Sequence, residues 1–158
     1  MSKRIIFFGT PEFAGICLSK LLINSYNVIA VVTAPDKPSG RGKKIQPSFV
    51  KEIALKKKIK TLQPTNLKDP LFLNQLKDLN PDLMIVVAFR MLPKVVWSLP
   101  PKGTFNLHAS LLPNYRGAAP INWVIINEEK VTGVTTFFIN DNIDSGNIIY
   151  QKKVKIEL

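Results

Sequence analysis

The chain has 158 residues, 46% hydrophobic and 21% charged, with a net charge of +11, which fits one globular domain with a sizeable core and excludes disordered and fibrous classes. Cys17 is the only cysteine and His108 the only histidine, so an intramolecular disulfide and a cysteine- or histidine-rich zinc site are excluded and no metal is expected. The longest apolar run, Leu83 to Phe89, falls far short of the ~20 residues of a transmembrane helix, and Ile5 to Phe8 is too short for a signal-peptide core, so no membrane association is expected and the protein reads as cytoplasmic.

Arg4 to Phe8 reads as a buried strand, and the turn at Gly9-Thr10-Pro11 opens a helix with Thr10 as N-cap and Pro11 in its first position. Ala14, Cys17, Leu18 and Leu21 recur at helical spacing, and Val28 to Thr33 is a second β-branched strand. This β-α-β start favours a parallel sheet with right-handed crossovers. Asp69-Pro70 begins another helix, with Phe72, Leu73, Leu76 and Leu79 on one side, and Asn80-Pro81-Asp82 ends it. Leu83 to Phe89 is apolar throughout, as a central parallel strand covered on both faces requires.

Gly103 to His108 is a shorter strand, and Pro120 stands near the start of a helix reaching about Asn127. Val131 to Ile139 and Asn147 to Ile156 read as strands joined by the polar loop Asn140 to Gly146, which suits an antiparallel pair. The expected fold class is α/β: a Rossmann-like, mostly parallel open sheet with helices on both faces and a late antiparallel edge strand. The first turn, Gly9 to Gly15, lacks the G-x-G-x-x-G spacing that lets a backbone approach a pyrophosphate, which argues against a nicotinamide dinucleotide.

Charge is concentrated. Residues 34–60 hold Lys37, Arg41, Lys43, Lys44, Lys51, Lys56, Lys57, Lys58 and Lys60 against Asp36 and Glu52, which is +7 of the net +11. Such a stretch suits a polyanionic partner or a solvated surface, and charge alone leaves the two open. Lys56-Lys57-Lys58 closes an apolar helical pattern and reads as a solvated helix end favoured by the helix dipole.

In open α/β sheets ligands bind beyond the carboxyl ends of the strands. Asn106 and His108 sit two apart at such an end, so an amide and an imidazole face the same way. Asp144, in the polar loop after the next strand, is a candidate to orient the imidazole. Spacing alone leaves His108 open between a structural hydrogen-bonding residue and a catalyst, and leaves Asp144 open between an orienting carboxylate and a turn residue like its neighbour Asp141. Cys17 lies on an apolar helix face and is most simply a core residue.

The stretch Phe105-Asn106-Leu107-His108-Ala109-Ser110-Leu111-Leu112-Pro113-Asn114-Tyr115-Arg116-Gly117-Ala118-Ala119-Pro120-Ile121 resembles the signature of the folate-dependent formyltransferases. Within that superfamily, Phe8-Gly9-Thr10-Pro11-Glu12-Phe13-Ala14 and the basic segment from Ala34 to Pro47 are closest to the branch that formylates methionyl-tRNA. The resemblance implies a catalytic trio of Asn106, His108 and Asp144, the last within Ile143-Asp144-Ser145-Gly146. It implies that Ser110, Leu111, Leu112 and Pro113 line a folate site, and that Phe89, Arg90, Met91 and Leu92 border the pterin. The basic segment would engage the acceptor arm of the initiator methionyl-tRNA through Lys37, Arg41, Lys43 and Lys44.

The implied reaction is formyl transfer from 10-formyltetrahydrofolate, a co-substrate, to the amine of the tRNA-borne methionine. An amine adding to a formyl carbon creates a negatively charged oxygen that an aimed amide N–H can stabilise, while histidine accepts the amine's proton. Two other readings stand beside it: formyl transfer to an amino-sugar nucleotide, and an RNA-binding fragment without activity. Arg90 stands where the resemblance leads one to expect a small residue, and Asn147 where it leads one to expect an acidic one. The resemblance further implies a chain about twice as long with a C-terminal β-barrel; residues 1–158 are therefore expected to be a formyltransferase catalytic domain that stops short of completion.

Overall fold

A computed structural model describes residues 2–39 and 44–157, and the chain divides into two units, Met1–Gly103 and Thr104–Leu158. In the first unit the apolar runs become strands β1 (Ile5–Gly9), β2 (Val28–Val32), β5 (Lys60–Leu62) and β6 (Leu83–Val87). They pair in the order β5-β2-β1-β6, and every pairing is parallel. Residues Ile6, Phe7, Phe8, Val31, Val32 and Met84 are fully buried, which is why these strands show uninterrupted hydrophobicity instead of alternation.

Helix α1 (Glu12–Ile23) follows β1. Its N-cap is Pro11, and Thr10 does not cap it. The Thr10 hydroxyl instead accepts a hydrogen bond from the Ala34 backbone N–H at 3.3 Å, linking the carboxyl ends of β1 and β2. Gly9 is required by close approach: a Cβ there would lie 2.6 Å from Ala14 Cβ and 2.9 Å from the Val87 carbonyl. Ala14, Gly15 and Leu18 are the buried positions of α1. Cys17 is half-buried on the same helix, and burial pushes its thiol above the ordinary range, which suits a packing role.

The segment after β2, which the sequence marks only by its charge, forms a small antiparallel pair, β3 (Lys37–Ser39) and β4 (Lys44–Gln46). Three-residue strands carrying Lys and Pro give no periodic signal, and proline argues against a strand reading. Helix α2 (Phe49–Lys56) follows, capped by the Ser48 hydroxyl, which accepts from the Lys51 N–H. Phe49 packs against Gly15 of α1 closely enough to exclude a Cβ there. Helix α3 (Pro70–Asp78) begins as expected, with Asp69 accepting from the Leu71 N–H and with Phe72 and Leu76 buried. The short α4 (Lys94–Trp97) completes the unit.

The second unit is antiparallel. Strand β7 (Thr104–His108) pairs with β8 (Val131–Phe138), and β8 pairs with β9 (Ile148–Lys155). The register sets His108 opposite Thr135 and Thr135 opposite Gln151, one row across three strands. Helix α5 (Pro120–Ile126) has Pro120 in its first turn, where the missing N–H costs nothing. Among the described residues no helix is long and apolar enough to cross a membrane.

Candidate active site

The second unit brings Asn106, His108 and Asp144 into one neighbourhood. His108, 7% exposed, uses Nε2 to donate to the Tyr115 carbonyl at 2.7 Å. Its Nδ1 lies 3.7 Å from Asp144 Oδ2. Because a carbonyl can only accept, the Nε2 contact assigns that nitrogen a proton, so in the neutral ring Nδ1 is the basic nitrogen, facing the carboxylate. Asp144 Oδ2 also accepts from the Gly117 N–H at 2.8 Å, so the carboxylate is held on one side by backbone and presented to the imidazole on the other.

Asn106 is two residues before His108 on β7, and its Oδ1 is buried without a hydrogen-bond partner. A buried acceptor left unpaired costs about 1–3 kcal/mol, and such groups in folded proteins call for a reason, a catalytic role among them. Asp144, Tyr115 and Ala119 all have positive φ, at 45°, 56° and 52°. Aspartate tolerates that region, whereas tyrosine and alanine rarely enter it, so the segment between β7 and α5 is conformationally strained.

The segment after His108 is pinned to β8 and β9. The Thr135 hydroxyl donates to the Ser110 carbonyl at 2.7 Å and accepts from the Leu112 N–H at 3.1 Å and from Gln151 Nε2 at 2.9 Å. Gln151 Nε2 also donates to the Leu112 carbonyl at 2.8 Å. Ser110 is fully buried and its hydroxyl donates to the Asn114 carbonyl at 2.6 Å, while Leu112 is buried and Leu111 packs over Gly133. Of the four residues expected to line folate, Pro113 alone is exposed, and the Leu112–Pro113 peptide is cis. In the polar loop, a Cβ at Gly146 would run into the Phe138 carbonyl, so only glycine fits immediately after Ser145.

Thr135, Gln151, Tyr115 and Gly117 are the parts of this site that sequence reasoning missed. Thr135 and Gln151 are one strand position each, and their meaning depends on a register between strands. Tyr115 and Gly117 act through backbone groups, which no side-chain pattern reveals.

In the first unit, Phe89 sets its ring edge-on to Phe8 with centroids 5.7 Å apart. The Arg90 guanidinium lies 5.5 Å over the Phe89 ring and donates from Nη1 to the Thr65 carbonyl at 2.7 Å and from Nη2 to the Pro64 carbonyl. The arginine found in place of a small residue is thus a tie between two loops, reinforced by cation–π attraction. Met91 is exposed and Leu92 buried.

Of the expected phosphate-binding residues, Lys37 is exposed on β3 and Lys44 opens β4, while Arg41 and Lys43 lie outside the described residues. Just before β3, Asp36 accepts from Lys51 Nζ at 2.5 Å and from Gln63 Nε2 at 2.7 Å. These bonds, that of Lys51 above all, hold its carboxyl below the ordinary range. Lys51 is therefore ion-paired, while Lys56, Lys57 and Lys58 stand in solvent at the end of α2 as expected.

The formyl transferase family model matches residues 3–158. The chain is 65% identical over 154 residues to the methionyl-tRNA formyltransferase of Flavobacterium johnsoniae, covering 98% of this chain and 49% of that protein. It is 57% identical over 153 residues to the methionyl-tRNA formyltransferase of Bacteroides thetaiotaomicron, covering 97% of this chain and 48% of that protein. The chain thus spans about half the length of the curated relatives it matches. In fold it is similar to the crystal structure of phosphoribosylglycinamide formyltransferase from Bacillus halodurans, with a TM-score of 0.80 at 22% identity over 98% of this chain and 81% of that one. Parallel strands first and antiparallel strands last are thus the α/β formyltransferase arrangement, and with the match over residues 3–158 the chain belongs to the formyl transferase family.

Proposed function

We propose that this chain carries the catalytic machinery that transfers a formyl group from 10-formyltetrahydrofolate to the amino group of methionyl-tRNA. The observation that carries this reading is the convergence of Asn106, His108 and Asp144, with the basic nitrogen of His108 3.7 Å from the Asp144 carboxylate. The names of the relatives support the choice of substrates.

Each residue has a distinct task. As the amine adds to the formyl carbon, its oxygen gains negative charge, and the Asn106 amide N–H donates to that oxygen. The unpaired Asn106 Oδ1 is suited to receive an N–H of the incoming amine. His108 takes the proton that the amine must lose, at Nδ1, because Nε2 is committed to the Tyr115 carbonyl. The ring then becomes a cation beside a carboxylate, and Asp144 stabilises it. The released proton returns to the folate nitrogen as the carbon–nitrogen bond to the carrier breaks.

Ser110 to Pro113 would meet folate chiefly through the exposed Pro113, since the Ser110 hydroxyl and carbonyl and the Leu112 N–H and carbonyl are already bonded and Leu112 is buried. Lys37, Arg41, Lys43 and Lys44 would meet the phosphates of the tRNA. The test is product identification: the chain is supplied with the formyl donor and offered methionyl-tRNA or an amino-sugar nucleotide. Formyl-methionyl-tRNA is the expected product, and a formylated sugar alone would overturn the assignment.

A further inference from the structure

We propose that Tyr115 is a positioning residue for His108, locked from the far end of α5 by Glu129 and Asn127. Its carbonyl takes the Nε2 proton of His108 at 2.7 Å, and that single bond decides which ring nitrogen is basic. Tyr115 presents that carbonyl while held at φ 56°, a left-handed conformation that bulky side chains avoid. Something must hold it there. The Tyr115 phenol donates to Glu129 Oε1 at 2.6 Å and accepts from Asn127 Nδ2 at 3.0 Å. The Glu129 carboxylate also pushes the phenol above its ordinary range, in keeping with a proton held in that bond.

The same segment reaches the other partner of the imidazole. Two residues after Tyr115, the Gly117 N–H donates to Asp144 Oδ2 at 2.8 Å. Residues 115–117 therefore bracket the pair: one end sets the protonated nitrogen of His108, the other sets the carboxylate facing the second nitrogen. Asn127 caps the C-terminus of α5 and Glu129 lies two residues beyond, so the helix serves as a strut that ties the bracket to its own far end. Both anchoring residues are exposed and bond the phenol of Tyr115, not the imidazole or the Asp144 carboxylate, which separates their role from the catalytic one.

The catalytic meaning of this bracket rests on the function proposed above, but its effect on the ring does not. His108 is the only histidine in the chain, so ¹⁵N imidazole spectra of the full chain report on it without ambiguity. The comparison is between wild type, Tyr115→Phe and Glu129→Gln, at a pH where the imidazole is neutral. Wild type should give the Nε2–H form. Tyr115→Phe, which keeps the carbonyl but loses both phenol bonds, should show a mixture of tautomers and a roughly tenfold lower kcat with KM unchanged, as a modest loss of general-base efficiency predicts. Glu129→Gln keeps an acceptor for the phenol and should retain most of the wild-type tautomer and kcat. Should Tyr115→Phe fail to fold, Asn127→Ala, which removes one phenol bond, takes its place. An unchanged tautomer in the variant overturns the proposal, and so does a changed tautomer with unchanged kcat while Asn106→Ala lowers it. If Asn106→Ala leaves transfer at the wild-type rate, it is the reading of the site that fails, and the tautomer comparison still decides the bracket.

Discussion

Gln151 and Thr135 stand opposite each other on β9 and β8, and the Gln151 amide nitrogen bonds both the Thr135 hydroxyl at 2.9 Å and the Leu112 carbonyl at 2.8 Å. Thr135 in turn takes the Leu112 N–H and gives its proton to the Ser110 carbonyl. Two side chains thus satisfy the backbone of the segment that leaves His108, and Thr135 does so from the position directly opposite His108 on the neighbouring strand.

Thr135→Val keeps the shape of the buried side chain and removes the hydroxyl. It leaves the Leu112 N–H and the Ser110 carbonyl without their partner, and a buried group so stranded costs about 1–3 kcal/mol. Urea unfolding should therefore show a lower midpoint for Thr135→Val. A midpoint equal to that of wild type would mean that the segment finds other partners.

Much of the fold was legible because burial writes itself into composition. Ile5 to Phe8, Val28 to Val32 and Leu83 to Val87 are uninterrupted apolar runs, and all became parallel strands. Asp69-Pro70 carries its own helix start, and the structure follows it. The pieces that escaped were short or carried contrary residues: β3 with Lys37 and Pro38, β5 with Lys60, and the four-residue α4. Thr10 had the chemistry of a cap, but the Ala34 N–H competed for its hydroxyl. In the site, the shared face of Asn106 and His108 followed from a spacing of two along a strand. The Thr135 and Gln151 clamp and the Tyr115 carbonyl did not, because the first depends on register across strands and the second on a backbone conformation that tyrosine seldom adopts.

Asp36 gives the pH dependence of the first unit a definite sign. Its carboxyl is held low in the folded chain, chiefly by the bond from Lys51 and then by that from Gln63. A depressed value means that its contribution to stability is present above the ordinary carboxylate value of about 3.9 and is lost as pH falls through the lower, folded value. Carboxyl ¹³C titration should find Asp36 below the ordinary range, and Lys51→Met should raise it. An unchanged titration in Lys51→Met would remove Lys51 as the cause.

Replacing Arg41, Lys43 and Lys44 together by alanine should weaken tRNA binding. It should also flatten the dependence of log affinity on log salt by about 0.7–0.9 for each phosphate that is no longer neutralised. Formylation of a small amine surrogate should be spared, since none of the three replaced residues belongs to the trio of Asn106, His108 and Asp144. Filter binding across a salt series measures this. A slope equal to that of wild type would return these residues to the role of a solvated surface.

The central claim is that Asn106, His108 and Asp144 perform formyl transfer, and Asn106 offers the cleanest test because its task is confined to the oxygen that becomes charged. The decisive measurement is single-turnover transfer of a formyl group from 10-formyltetrahydrofolate to methionyl-tRNA by the wild-type chain and by Asn106→Ala, with donor affinity measured alongside. Loss of one oxyanion donor lowers turnover by roughly 10²–10³, so the variant should slow by that factor while its affinity for the donor is unchanged. Equal rates in the two proteins would contradict the mechanism.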